Sequence, residues 1–155
     1  MRKLSYQEAL TRLENLCSLM EKCSSDLLIK MDKWGISETD KQKILTSLKN
    51  DNYLDDSRYA VFFVREKQRL NKWGREKIRS ELMKKRLDRD IIDSALSEID
   101  MEDSAVNLKN LLIGKKKTIR YSSPYELKGK LVNYGIQRGY DYELVYKLVE
   151  EILKY

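Results

Sequence analysis

Histidine is absent from this sequence of 155 residues, which removes the usual neutral-pH general base and the commonest metal ligand. A phosphate-binding glycine loop is also absent, because Gly114-Lys115 lacks the upstream glycine and the following Ser or Thr of a P-loop. The pair Asp55-Asp56 has no third carboxylate at helical spacing, so a helix cap with a partner such as Arg58 is favoured over a Mg²⁺ site. The sequence therefore predicts a protein that is not an enzyme and holds no metal or other cofactor.

Proline occurs once and glycine six times, whereas charged residues make up 36% of the chain, against roughly 25% in average proteins. This composition favours helices with solvated outer faces. No apolar run approaches the roughly 20 residues of a membrane span, and no signal-type segment follows Met1-Arg2-Lys3. We therefore expect no membrane contact and a cytoplasmic location.

The only two cysteines, Cys17 and Cys23, lie six residues apart on or near one predicted helix. This spacing suits neither a local disulfide nor a metal site without further ligands, so we expect reduced thiols. No coiled-coil seam or long exposed apolar stripe is evident, and we expect a monomer.

Positive charge is concentrated in the middle of the chain. Residues 65–89 contain 11 Lys or Arg and 4 acidic residues, whereas residues 1–64 and 90–155 are close to neutral. On ideal helices the basic residues form two ridges beside apolar stripes. One interpretation is a solvated face tied by pairs such as Glu81 with Lys85. The other is a surface that contacts phosphates or an acidic protein groove, for which the candidates are Arg65, Arg69, Lys72, Arg75, Arg79, Lys84, Lys85 and Arg86.

Two further groups have open roles. Trp73 lies at a predicted helix junction beside basic residues, where it either packs between units or stacks on a base or a partner side chain. The segment Gly114 to Ser123 is predicted to form a mobile turn, and we interpret its residues Lys115, Lys116 and Lys117 as a solvated loop rather than a specific site.

Recurring cap signals and apolar spacing predict nine helices and no strands. Ser5 with Glu8 forms a capping box, and Ser123 precedes a proline at the first helical position. Asp56 is expected to cap the helix that carries Tyr59.

The helices repeat in threes. A shift of 51 places Leu27 and Met31 on Ile78 and Leu82, and a shift of 53 relates the second unit to the third in the same way. The turns at 34–36, 85–87 and 138–140 then correspond, with glycine in two of the three and Arg86 in the other. A left-handed conformation at Arg86 would cost about 1 kcal/mol. We predict an all-α fold of three tandem three-helix repeats, at 1–52, 53–99 (basic and central) and 100–155, packed into an elongated, curved array.

The ordered motifs resemble those of the RecX family of recombination regulators. The resemblance covers most of the chain and is strongest at 53–99. Arg86 stands where that family usually has glycine, and Gly135 where it usually has leucine. The residues that carry the resemblance, which include its structural signature Asp55, Asp56, Tyr59, Gly74, Leu82 and Gly139, are Tyr53-Leu54-Asp55-Asp56, Arg58-Tyr59-Ala60, Gly74, Ile78-Arg79, Glu81-Leu82, Lys85, Lys130-Leu131, Tyr134 and Arg138-Gly139-Tyr140.

The resemblance implies a non-enzymatic modulator of the RecA recombinase in homologous recombination, DNA repair and the SOS response. Family members lie in the groove of the RecA–DNA filament and usually slow filament growth, ATP hydrolysis and strand exchange. The implied partners are the RecA filament and DNA, either within that filament or bound weakly alone. Two alternatives stay open: a stand-alone helical nucleic-acid-binding module that acts through its basic central repeat, and a helical adaptor for an unrelated acidic protein.

Overall fold

The computed structural model describes residues 3–154, and this range contains nine α-helices and no strand, as predicted. The helices are α1 (Tyr6–Leu19), α2 (Ser24–Lys33), α3 (Glu38–Asn50), α4 (Asp56–Arg69), α5 (Arg75–Lys84), α6 (Arg89–Leu96), α7 (Met101–Thr118), α8 (Pro124–Gln137) and α9 (Tyr142–Leu153). No helix among these is long and apolar enough to cross a membrane.

Local sequence signals set the starts of several helices. The capping box forms at α1, where the Ser5 hydroxyl accepts from the Glu8 amide and the Glu8 carboxylate accepts from the Ser5 amide. Ser37 and Asp100 accept amide hydrogen bonds at the starts of α3 and α7, and Ser123 caps α8 with Pro124 at its first position. These contacts satisfy amides that have no partner within the helix.

Each group of three consecutive helices encloses its own apolar core. Leu13 and Ile44 lie in the first core, Ile78 and Leu82 in the second, and Leu131 and Val149 in the third, all fully buried. Among residues 3–154, hydrogen bonds and ion pairs join the first repeat to the second and the second to the third, and none joins the first to the third. The fold is therefore three tandem three-helix repeats in an elongated array.

The repeat boundaries near residues 52 and 100 stay a proposal. Leu54 packs in the core of the first repeat, and Cys23 packs in the core of the second. Tyr53 also packs against the first core, so residues on both sides of the predicted boundary contribute to the core of the other repeat.

The three turns that precede α3, α6 and α9 adopt the left-handed conformation predicted from the repeat. The φ angles are 73° at Gly35, 57° at Arg86 and 95° at Gly139. Two turns use glycine, which lacks the Cβ that makes this region costly, whereas Arg86 adopts it with a full side chain.

The prediction of a mobile turn beginning at Gly114 is wrong for Lys115, Lys116 and Lys117. These residues form the last turn of α7, which runs through Gly114 as far as Thr118. Cations at a helix C-terminus interact favourably with the carbonyl end of the helix dipole. The Lys115 ammonium also lies 5.1 Å from the ring centroid of Tyr134.

Candidate partner-binding surface

Three residues of the predicted basic set lie on the outer face of α4 and in the turn that follows it. Arg65 and Arg69 line two adjoining surface grooves, of about 800 Å³ and about 500 Å³. The first groove also exposes Phe62, and the second includes Lys72 and reaches the start of α7 at Asp103 and Val106. The structure therefore brings Arg65, Arg69 and Lys72 together on one face, which we call the α4 face.

Two arginines of the predicted set have acidic partners within the chain. A guanidinium nitrogen of Arg65 lies 3.3 Å from the Glu98 carboxylate, and one of Arg79 lies 2.9 Å from the Asp93 carboxylate. The Arg65 side chain is 68% exposed, whereas that of Arg79 is 30% exposed. Arg79 therefore holds α5 against α6, while Arg65 stays accessible on the α4 face.

Lys84, Lys85 and Arg86 lie away from the α4 face, in a groove of about 600 Å³ shared with α2. The Lys85 ammonium donates to both carboxylate oxygens of Asp26, at 3.0 and 3.1 Å, and Lys84 pairs with Glu81 at 3.0 Å. Lys84 and Lys85 are thus both paired with carboxylates in this groove, whereas Arg69 and Lys72 of the α4 face are in no ion pair within residues 3–154. The ion pair suggested between Glu81 and Lys85 is not formed, because Glu81 pairs with Lys84 and Lys85 pairs with Asp26.

Gly74 and Gly139, two residues of the structural signature, meet where the second repeat contacts the third. A Cβ at Gly74 would lie 2.4 Å from the carbonyl of Gly139, and one at Gly139 would lie 2.2 Å from Cβ of Lys77. The backbones therefore approach as closely as glycine permits. Arg75, the first residue of α5, follows this contact with its side chain exposed.

Trp73 is half-buried against the core of the second repeat. Its ring meets Phe63 edge-on, with centroids 6.5 Å apart, and the ammonium groups of Lys67 and Lys77 lie 4.9 and 4.6 Å from its centroid. These contacts give it a packing role at the junction of α4 and α5. Stacking on a base or partner side chain stays a prediction.

The two aspartates of the signature act at two different helix starts. Asp55 accepts from the amides of Ser57 and Arg58 at the start of α4, whereas Asp56 accepts from the amide and hydroxyl of Ser24, both at 2.8 Å. The expectation that Asp56 caps its own helix is therefore wrong, because its carboxylate reaches the start of α2 in the first repeat.

The expected side-chain partner of Arg58 is also different. Its guanidinium pairs with Glu21 at 2.6 Å and donates to the carbonyls of Asn52 and Tyr53. Arg58 thereby links the end of α1 to the start of α4 instead of pairing with an aspartate of the signature.

Tyr59 and Leu82, the remaining signature residues, are buried in the core of the second repeat. Burial raises the pKa of the Tyr59 hydroxyl above its usual range, so the ring is held neutral. Their role in this structure is to pack α4 against α5 and α6.

Phe62 is the surface residue that the sequence reasoning missed. Its ring is 38% exposed and lines the same groove as Arg65 and Arg69. Helical spacing gives the signal, because Phe62 lies three residues before Arg65 and seven before Arg69, on one side of α4. An exposed aromatic between arginines is typical of protein and nucleic-acid interfaces.

No group of three or more potential metal-ligating side chains lies together within residues 3–154. The α4 face offers charge, hydrogen-bond donors and an apolar contact. Its arginines present several fixed donors each, a geometry that suits carboxylates and phosphates.

Comparison with known proteins connects the central repeat to one family. A family model described as "RecX, second three-helix domain" matches residues 55–96. Proteins named "Regulatory protein RecX" are similar over most of the chain: one from Clostridium botulinum (strain Alaska E43 / Type E3) is 33% identical over 81% of this chain and 59% of its own length. One from Clostridium perfringens (strain 13 / Type A) is 34% identical over 84% of this chain and 62% of its own length. The chain thus spans about three fifths of the length of these relatives.

Solved structures show the same fold. A structure titled "Crystal structure of regulatory protein RecX" superposes with a TM-score of 0.86, at 23% identity over 94% of this chain and 73% of its own. The RecX structure from Lactobacillus salivarius gives 0.84, at 18% identity over 97% of each chain. With the matched central domain, the sequence relatives and the shared helical repeats, this chain belongs to the RecX family.

Proposed function

We propose that this chain is a non-enzymatic regulator of the RecA recombinase that binds in the groove of the RecA–DNA filament. Bound there, it slows filament growth, ATP hydrolysis and strand exchange in DNA repair. Family membership supports the regulatory role, and the elongated array of repeats is a suitable shape for a helical groove. The protein acts by occupying space on the filament and makes or breaks no covalent bond.

The observation that carries the proposal is the set of basic side chains without acidic partners in the central repeat. Within residues 3–154, no carboxylate lies within 4.0 Å of the charged groups of Arg69, Lys72, Arg75 or Arg86. Arg69 and Lys72 lie on the α4 face beside exposed Phe62. Cations without internal partners are free to contact phosphate oxygens or carboxylates of a filament.

The proposal divides the predicted basic residues by role. Arg65, Arg69 and Lys72 contact the filament directly, with Phe62 as an apolar contact, and Arg75 and Arg86 contribute further charge. Arg79 and Lys85 are engaged within the chain and less exposed, so their removal alters its stability more than its contacts with the filament. Lys84 is as exposed as Arg65 beside its own ion pair and contributes supporting charge.

The test compares two double variants with the same change of net charge. Arg69→Glu with Lys72→Glu reverses the α4 face, and Lys43→Glu with Lys49→Glu reverses two exposed residues of α3 outside both grooves. The wild type and the α3 variant should lower single-strand-dependent ATP hydrolysis by RecA and co-sediment with filaments. The α4 variant should lose both effects. Equal behaviour of the two variants, or an unchanged ATPase rate with wild-type protein, contradicts the proposal.

The same free cations support the second candidate, a stand-alone nucleic-acid-binding module. This candidate predicts tight binding to bare DNA with a steep dependence on salt, because each phosphate contact releases counterions. Arg75→Glu together with Arg69→Glu should then abolish binding to bare DNA. Weak binding to bare DNA at physiological salt, combined with firm binding to filaments, favours the recombinase regulator.

A further inference from the structure

A second basic surface lies in the third repeat, outside the central segment in which positive charge is concentrated. The C-terminal half of α7 and the end of α9 enclose a groove of about 830 Å³. We call it the lysine groove. Four lysines and two isoleucines line it: Lys109, Lys116, Lys117, Lys154, Ile113 and Ile152.

The four lysines of this groove form no ion pair with any of the described residues. Glu151 is the one carboxylate among the lining residues, and within residues 3–154 no carboxylate lies within 4.0 Å of any of the four ammonium groups. Two other lysines of the third repeat are paired: Lys128 with Glu150, and Lys130 with Glu126 at 2.9 Å. The groove therefore brings together four positive charges that no carboxylate of residues 3–154 neutralises by direct contact.

The floor of the lysine groove is apolar. Ile113 is 37% exposed between the lysines of α7, and Ile152 beneath it is 9% exposed. A Cβ added at the adjacent Gly114 would have no atom within 4 Å, so the surface beside Ile113 is open to a neighbouring chain. An apolar centre with a charged rim is the usual anatomy of a protein interface.

We propose that the lysine groove binds an acidic, amphipathic helical segment of a partner protein. One apolar side chain of that segment packs on Ile113, and carboxylates on either side pair with the lysines. Lys109 and Lys116 are seven residues apart on α7, which is about 10 Å along the axis, or two turns. Carboxylates at positions i and i+7 of a partner helix have the same spacing.

The lining of the groove favours a protein segment over nucleic acid. All four cations are lysines, which lack the planar fork that pairs with phosphate in two places. Among residues 3–154, no aromatic ring lines the groove to stack a base. The α4 face differs in both respects, because it has arginines and exposed Phe62. The two surfaces are therefore suited to different ligands.

The test uses three labelled probes in fluorescence anisotropy with the full chain. The first is a synthetic helical peptide with leucines on one face and glutamates on the other, the second has the same composition in scrambled order, and the third is an oligothymidylate. The first peptide should bind wild-type protein and shift the Ile113 methyl resonances in NMR spectra. Lys116→Glu with Lys117→Glu should weaken this binding by at least about tenfold, because two attractions become repulsions.

Further variants separate binding from folding. Lys116 and Lys117 also stabilise the last turn of α7. Lys109 lies farther from that end, so Lys109→Glu should weaken peptide binding and leave the stability of the last turn unchanged. Ile113→Ser should weaken binding severalfold, whereas the α3 variant and the α4 variant should bind the peptide like wild type. The last result also keeps this test independent of the proposed action on RecA.

Three outcomes would overturn the inference. Equal binding of the scrambled peptide shows general attraction between polyions, and tighter binding of the oligothymidylate that depends on Lys116 and Lys117 assigns the groove to nucleic acid. Absence of peptide binding at physiological salt shows that the groove is a solvated surface.

Discussion

The junction between the second and third repeats contains backbone-to-backbone hydrogen bonds between residues distant in sequence, whereas the junction between the first and second relies on side chains. At the former, the amide of Gly74 donates to the carbonyl of Arg138 at 2.8 Å, and the amide of Glu76 donates to the carbonyl of Gly139 at 2.9 Å. These bonds satisfy the start of α5 with carbonyls from the end of α8. In return, the Tyr140 hydroxyl donates to the carbonyl of Lys72, and the Arg138 guanidinium donates to the carbonyl of Asn71.

The junction between the first and second repeats uses the corresponding positions differently. The start of α2 is satisfied by the side chain of Asp56, and the turn before α6 reaches α2 through Lys85 and Asp26. Cys23 stands at the position of Gly74, and Arg86 at that of Gly139. Both carry a Cβ, so the close backbone approach of the other junction is unavailable here.

This difference indicates which of the two junctions weakens when the salt concentration rises. Backbone hydrogen bonds between neutral groups are insensitive to salt, whereas exposed ion pairs weaken as salt screens them. The pair of Arg58 with Glu21 belongs to the first junction and borders the α4 face. We therefore expect the first repeat to move relative to a rigid unit formed by the second and third.

The largest predicted effect breaks the backbone junction. Gly139→Ala adds a Cβ 2.2 Å from Cβ of Lys77 at a residue with a φ of 95°. Overpacking together with backbone strain should lower the free energy of unfolding by about 3 kcal/mol, measured by urea denaturation. Gly129→Ala is the matched control, because its Cβ meets nothing within 4 Å inside α8, and it should stabilise the protein by about 0.5–1 kcal/mol. A small effect at Gly139 would mean that the two repeats separate freely.

The next effect concerns the side-chain junction. Asp56→Ala removes both hydrogen bonds to Ser24 and should lower the free energy of unfolding by about 2 kcal/mol. Hydrogen exchange should show faster opening of α2 than of α8. Asp55→Ala is the control, because it removes a cap within the second repeat and should leave exchange in α2 unchanged. Equal exchange in α2 for both variants would contradict the assignment.

Tyr140 tests the backbone junction at alkaline pH. Burial raises the pKa of its hydroxyl from 10.0 to about 12, so the folded state keeps the neutral form. The resulting stability is complete below pH 10 and is lost as the pH rises from 10 to 12, where the unfolded chain ionises first. Tyr140→Phe should cost about 1 kcal/mol at pH 7, through loss of the bond to the Lys72 carbonyl. Chemical denaturation should show that the variant has a lower free energy of unfolding than wild type at pH 7 and that this difference is gone at pH 12. The same difference at both pH values would contradict the prediction.

Arg86 tests the strain at the side-chain junction. Arg86→Gly relieves a left-handed conformation at a φ of 57° and should raise the free energy of unfolding by about 1 kcal/mol. Arg89→Gly is a contrasting control, because Arg89 begins α6 and glycine should destabilise it slightly. Thermal denaturation measures both, and loss of stability in the Arg86 variant would show that its side chain contributes more than its backbone costs.

The smallest effect is that of the ion pair between Lys85 and Asp26. Both side chains are 33% exposed, so a double-mutant cycle with alanine should give a coupling of less than about 1 kcal/mol at low salt. The coupling should fall towards zero at 1 M salt. Tyr140→Phe should show no such dependence on salt, and a salt-independent coupling between Lys85 and Asp26 would remove the contrast between the junctions.

The sequence predicted well those features that depend on local patterns. Helix starts at Ser5, Ser37 and Ser123 follow from side chains that cap their own helices. The internal repeat predicted a left-handed residue at Arg86 that composition alone would not suggest, because equivalent positions in the other repeats are glycines. Such features need only neighbouring residues or a constant shift along the chain.

Features that depend on distant partners were not predictable. Asp56 looked like a local cap, but its carboxylate reaches Ser24, 32 residues away. The basic ridges were evident, yet the pairs of Arg79 with Asp93 and Lys85 with Asp26 separate engaged cations from free ones. The extension of α7 through Gly114 was missed because glycine and three lysines resemble a turn when contact with Tyr134 is unknown.

The side chains at Cys23 and Arg86 have a consequence for the superhelical pitch. The backbones approach directly at Gly74 and Gly139, whereas Cys23 and Arg86 each carry a Cβ. We therefore expect the rotation and translation from the first repeat to the second to differ from those between the second and the third. An array with two unequal steps has no constant pitch. Binding sites at one constant spacing on a partner would therefore match the spacing of one pair of neighbouring repeats and not that of the other.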